Sequence, residues 1–82
     1  MNKYVEEKYK FEDMFNVRLV PQFKKEIDGK IYQSFSCISN DGGNVRGMAY
    51  VIKEFNKDTG EYEYASKIKF ISQAQWDNSE FD

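Results

Sequence analysis

The sequence predicts an α+β domain, mostly β, with a short N-terminal helix followed by a four-stranded antiparallel meander. Apolar residues recur at helical spacing before Asn16 and at alternate positions after it. Three polar, Gly-containing breaks then divide the remainder into four strand-length runs: Asp28-Gly29, Asn40 to Asn44 and Asn56 to Gly60. At 82 residues, the chain has room for one small core, so a single domain over 1–82 is expected.

The opening segment NKYVEEKYKFEDMF places Tyr4, Val5, Tyr9 and Phe11 or Phe15 at loosely helical spacing. Glu7, Phe11 and Phe15 are separated by i,i+4 steps, and Glu6, Glu7, Lys8 and Lys10 suit a solvated face. A short helix within residues 2–14 is expected; a strand beginning near Lys8 is the competing reading. From Asn16 the period becomes two. Val17, Leu19, Pro21 and Phe23 alternate with Arg18, Val20, Gln22 and Lys24, the pattern of a half-buried strand. Pro21 cannot donate to a ladder, which places this strand at an edge or gives it a bulge.

Asp28-Gly29 is a hairpin turn, because both residues tolerate positive φ. The second strand runs from Lys30 to Ser39, with Ile31, Gln33, Phe35 and Cys37 facing one way and Tyr32, Ser34, Ser36 and Ile38 the other. The third, about Val45 to Phe55, is apolar on both faces and so reads as central or covered on both sides. Gly47 within it implies a bulge or bend, as in a strongly coiled or barrel-like sheet. The fourth, Glu61 to Ser72, sets Tyr62, Tyr64, Ile68 and Phe70 against Glu61, Glu63, Lys67 and Lys69. One helix covers one face of such a sheet, leaving the other for solvent, a partner or a second copy. Rings such as Tyr32, Tyr50 and Phe55 exceed what one small core hides, so a homodimer through that face is a further expectation.

Composition narrows the function class. There is no histidine, which excludes His-dependent triads and His-containing zinc sites. The single Cys37 excludes an internal disulfide, fits a reducing cytoplasm, and sits mid-strand as a small hydrophobe rather than a nucleophile. Glu61 and Glu63 share an exposed strand face with Lys67 and Lys69, so solvation and ordinary cross-strand charge pairing are expected of them, and Asn40-Asp41-Gly42-Gly43 lacks the following helix that a phosphate cradle needs. Metal binding by Asp28, Asp41 and Asp58 would require three turns to converge without any EF-hand spacing. No cofactor, metal site or enzymatic role is expected. No window approaches the ~20 apolar residues of a membrane span, and no basic-then-apolar signal opens the chain, so a cytoplasmic protein is expected.

Net charge is −2, carried unevenly: the last ten residues hold Asp77, Glu80 and Asp82 unopposed. The nine residues AQWDNSEFD, 74–82, form an acidic tail with the only tryptophan. Trp76 is expected to fold back on the domain, and Asn78 to Asp82 to remain exposed and free for a partner. A competing picture inserts both Trp76 and Phe81 into that partner. Asp77, Glu80, Phe81 and Asp82 resemble in style the acidic C-terminal tips with which bacterial single-stranded-DNA-binding proteins recruit other proteins. The tail departs from them in its penultimate Phe81 and short linker, and the body carries no oligonucleotide-binding consensus.

The expected function is non-enzymatic binding of a protein, with Trp76, Asp77, Glu80, Phe81 and Asp82 as partner-facing residues. In size and composition the chain looks like small accessory proteins of phages or mobile elements that inhibit or redirect a host factor. The alternative is single-stranded nucleic-acid binding through Arg18, Lys24, Lys25, Lys30, Tyr32, Arg46, Lys67 and Lys69. That reading requires Arg18, Lys24, Lys67 and Lys69 to share an exposed sheet face.

Overall fold

The computed structural model describes residues 3–81, with side chains from Glu6 onward; the positions expected of the Tyr4 and Val5 side chains lie outside this range. Helix α1 (Lys3–Phe15) leads into strands β1 (Val17–Ile27), β2 (Lys30–Ser39), β3 (Val45–Asn56), β4 (Glu61–Tyr64) and β5 (Lys69–Ile71), followed by a short helix α2 (Gln73–Asp77). The strands pair antiparallel in the order β1-β2-β3-β4, and β5 also pairs with β3. The expected helix and meander are therefore present. The sheet is open, with β1 at one edge and the β4/β5 pair at the other, not closed into a barrel.

Helix α1 stops at Asn16, whose φ of 53° is the left-handed conformation that Asn tolerates after a helix C-terminus. The Asn16 side-chain amide donates to Asp41 Oδ2 at 2.8 Å, and its backbone carbonyl accepts from Asn40 N at 3.3 Å, which joins the helix end to the β2–β3 loop. Glu12 Oε2 accepts from Leu19 N at 2.7 Å and ties the last helical turn to β1. The β1–β2 hairpin turns at Asp28 (φ 51°) and Gly29 (φ 80°), both in the positive-φ region that the Asp-Gly pair was expected to supply.

Pro21 meets both sequence expectations, since β1 is an edge strand and a bulge follows. Pro21 pairs with Phe35 and Lys24 with Gln33, so three steps along β1 match two along β2. The backbone polar groups that lose ladder partners are satisfied by side chains of β2. Phe23 N donates to Ser34 Oγ at 3.0 Å, and Phe23 O accepts from Gln33 Nε2 at 3.1 Å. This accounts for two polar residues, Ser34 and Gln33, inside a buried strand. A second bulge, with Arg46 as the extra residue, lies beside Gly47, whose φ of 151° suits only glycine comfortably.

The predicted fourth strand is two strands. Ala65 N still donates to Ile52 O at 2.7 Å, but Ile52 N donates to Ser66 Oγ at 3.0 Å instead of to a backbone carbonyl. The hydroxyl replaces a ladder acceptor, the chain leaves the sheet over Ala65–Ile68, and pairing resumes at Lys69.

Burial divides between two sheet faces. On the helix face, Phe11 of α1 packs with Val17, Leu19, Phe35, Cys37, Ala49, Val51, Tyr64 and Ile68. Burial also pushes the Cys37 thiol pKa up, keeping it protonated and unreactive. On the opposite face, Tyr50, Ile71 and Trp76 form a second cluster, joined by Tyr32, Met48, Ile52 and Phe81. The expectation that this face is left bare is corrected here: the C-terminal segment covers it, taking up Tyr32 and Tyr50. Phe55 alone of the three spare rings stays exposed, edge-on to Tyr62 at 5.4 Å.

Replacing Ser34 with alanine should leave the Phe23 amide of the bulge without its acceptor. Urea denaturation is expected to register a loss of about 1–3 kcal/mol, the range for an orphaned buried donor. Unchanged stability would mean that the bulge is not closed by this hydroxyl.

Candidate functional site

The tail is built as a folded strap. Ser72 Oγ accepts from Gln75 N at 3.1 Å while Gln75 Oε1 accepts from Ser72 N at 3.0 Å, a reciprocal capping box that starts α2 directly after β5. At the other end, Glu80 N donates to Gln75 O at 2.8 Å and Ser79 N to Trp76 O at 3.1 Å, the two bonds of a Schellman turn. Ser79 occupies the left-handed position of that turn with φ 55°. The chain is thereby reversed, and Phe81 returns to the sheet.

Trp76 is 3% exposed, in agreement with its expected role as an anchor. Phe81 stacks on Tyr32 at 4.2 Å and meets Tyr50 at 5.0 Å and Trp76 at 5.6 Å. The expected division of the tail is therefore corrected at Phe81, which is part of the fold rather than of a free end. Likewise, the picture of Trp76 and Phe81 inserted into a partner conflicts with their packing inside this chain. Asp77 and Glu80 are exposed, and Asp82 lies outside the described residues. Among the described members of the expected partner-facing set, Asp77 and Glu80 are exposed, Phe81 is half-buried and Trp76 is buried.

Lys25 closes the strap. Its ammonium donates to the Trp76 carbonyl, to the Asp77 carbonyl at 3.5 Å and to Ser79 Oγ at 3.1 Å, and it lies 5.1 Å from the centre of the Trp76 ring. A cation here complements the negative end of α2 and the face of the indole.

The expected basic surface is not one surface. Arg18 pairs with Ile38 and Lys24 with Gln33; because β2 is regular between these positions, the two side chains leave opposite faces of the sheet. The one-residue bulge between them is the cause. Lys25 is engaged with α2, Tyr32 lies under Phe81, and Lys30 pairs with Glu54 at 3.6 Å. Arg46 sits in the second bulge, and Lys67 and Lys69 border the fourth strand on the far side of the sheet from β1. No shared face joins Arg18, Lys24, Lys67 and Lys69, and the Tyr32 ring is already stacked.

A larger concavity than either bay on β4 lies elsewhere, between α1 and β5. Helix α1 packs against β1 and β4 and does not fully cover β5. The resulting groove, of about 580 Å³, is floored by Phe11, Ile68 and Phe70 and walled by Met14 and Phe15. Met14, Phe15 and Phe70 are 74%, 40% and 51% exposed. Phe11, Phe15 and Phe70 form a triangle with centroids 4.7–5.1 Å apart and planes tilted at 49–78°. Lys10, Lys67 and Lys69 border it, against one acid, Glu7. A second bay of about 230 Å³ continues past Glu7 and Lys67 to the Tyr64–Ser66 break in the fourth strand. Among the described residues, no group of three acids or cysteine is placed to hold a metal, and no helix is long and apolar enough to cross a membrane.

The i,i+4 step from Phe11 to Phe15 and the alternation of Ile68 with Phe70 were visible in sequence. That these two elements leave a gap between them was not. The Ser72-x-x-Gln75 capping box was available as a signal for α2, whereas the Lys25 clamp follows only from the bulge.

Of three changes to the strap and its clamp, Lys25→Met should be the mildest by thermal or urea unfolding. Trp76→Ala is expected to cost about 3–5 kcal/mol as a large buried ring. Lys25→Met, which keeps the stem and removes the cation, should cost about 1–2 kcal/mol. Deleting residues 78–82 should cost more than Lys25→Met, because it removes Phe81 and the Schellman turn together. No family model, curated protein or solved structure matches the chain, and the functional reading therefore rests on its own surface chemistry.

Proposed function

We propose that this chain is a non-enzymatic protein-binding domain whose docking surface is the groove between α1 and β5. The observation that supports this most is that three exposed large apolar side chains, Met14, Phe15 and Phe70, gather around one concavity. Exposed apolar side chains gathered at one place are costly to keep in water and are characteristic of a surface that a partner covers. Met14 adds an adaptable side chain of the kind enriched at such surfaces.

The narrower reading is a small cytoplasmic accessory protein of a phage or mobile element that inhibits or redirects a host protein; its support is size and composition alone. In this reading the tail sets the domain's stability and presents Asp77 and Glu80 at its rim, and the groove makes the principal contact. Single-stranded nucleic-acid binding loses its main support with the dispersal of Arg18, Lys24, Lys67 and Lys69.

Affinity capture from a host lysate, run in parallel with wild type and Met14→Glu, tests the proposal. Met14 is exposed enough for glutamate to be accommodated without unfolding. A stoichiometric protein held by wild type and lost from Met14→Glu is the expected result. Equal capture by both, or recovery of nucleic acid alone, would contradict it.

A further inference from the structure

We infer that the groove between α1 and β5 takes an acidic peptide segment that carries large apolar side chains, contributed by another protein. This deepens the proposed function and rests on it. Charge complementarity is the first argument. The apolar floor is bordered by Lys10, Lys67 and Lys69 against the single acid Glu7, although the chain as a whole is net negative. Lys10 also stands 3.8 Å from Glu6, an exposed i,i+4 pair weak enough to exchange for a partner's carboxylate. Lys69 pairs with Tyr50 in register and so projects from the edge strand towards the other face, which leaves Lys10 and Lys67 as the two cations nearest the groove itself.

Ring geometry separates a peptide from a nucleic acid. Base stacking needs an aromatic face open to a parallel plane. Here Phe15 meets Phe70 at 78° and Phe11 meets Phe70 at 53°, so the three rings share no common plane on which successive bases could stack, while side chains of a peptide fit between them. The methionine wall is suited to apolar side chains of varied shape. Glu7, between the two bays, would oppose a continuous phosphate backbone but would be crossed by a peptide with spaced acids.

The test is selection of a random 16-residue peptide display library on the full-length protein, followed by anisotropy titration of the enriched peptides. Titrations use wild type, Met14→Glu and the double variant Lys10→Glu/Lys67→Glu, each checked for native circular dichroism and melting. Enriched peptides are expected to be net acidic with at least two large apolar residues. Met14→Glu should weaken them about tenfold or more, as for a contact at the centre of an interface. The double variant should weaken them about tenfold at low salt and less at high salt, as for rim charges. Neutral or basic winners, no enrichment, or peptides indifferent to both variants would overturn the inference. Indifferent peptides would still leave a protein-binding domain that uses another surface. A labelled thymidine 20-mer is titrated alongside; steeply salt-dependent binding of it, with no peptide enriched, would overturn the protein-binding reading as well. Self-association in sedimentation that Met14→Glu abolishes would assign the groove to a second copy and likewise overturn the inference.

Discussion

One extra residue in β1 organises much of this molecule. Between Pro21 and Lys24 the edge strand gains a residue on its partner, and every side chain beyond that point changes face. Without the bulge, Lys25 would lie on the helix face, and the carbonyl groups that end α2 would have no cation beneath them. With it, Lys25 reaches the Trp76 and Asp77 carbonyls and Ser79 Oγ, and the strap is clamped to the opposite edge of the sheet from the one where it starts. The bulge is in turn held by Ser34 and Gln33, which supply the hydrogen bonds that the interrupted ladder lacks. Pro21, having no N–H to lose, is a suitable residue to precede such a break on an edge strand.

The two faces of the sheet are then covered by different means. A thirteen-residue helix covers one face, and about ten C-terminal residues cover the other with a single turn of helix and two rings. A small domain buries a low fraction of its surface, so the concentration of rings in both layers compensates for the short chain. On the tail face the covering is concentrated where Trp76 and Phe81 meet Tyr32 and Tyr50, and it leaves Val20 and Val45 exposed. It is also incomplete on the helix face, where α1 rests on β1 and β4 and leaves Phe70 of β5 half in water. The groove is a consequence of that geometry: the fourth strand is interrupted over Ala65–Ile68, and the helix packs on β1 and β4 while β5 stays half covered.

The sequence disclosed the elements that depend on local pattern. The helix, the Asp-Gly hairpin, the bounds of β2 and the two-sided burial of β3 follow from periodicity and turn chemistry within a few residues of each position. Trp76 was also legible as an anchor, because a lone tryptophan close after a strand can reach the sheet. What escaped were features that depend on residues distant in sequence. The bulge could be anticipated at Pro21, but its consequence for Lys24 and Lys25 required the pairing with Gln33 and Tyr32. Phe81 looks free in the sequence because the turn that returns it uses Ser79 in a position where glycine is the recognisable signal. The basic residues looked like a surface because strict alternation was carried through β1, which the bulge forbids. The groove residues are far apart in sequence, and only the helix's placement on the sheet brings them together.

The central structural claim, that the C-terminal segment is part of the fold and is clamped by Lys25, has a direct reporter in the single tryptophan. Steady-state emission and acrylamide quenching of Trp76 should be recorded on the native full-length chain and on Lys25→Met. Wild type is expected to show blue-shifted, poorly quenched emission, with a shift towards the red and greater quenching in Lys25→Met while the far-ultraviolet circular dichroism of the sheet is retained. Emission and quenching equal to those of the unfolded chain in wild type, under conditions where the sheet is intact, would contradict this claim.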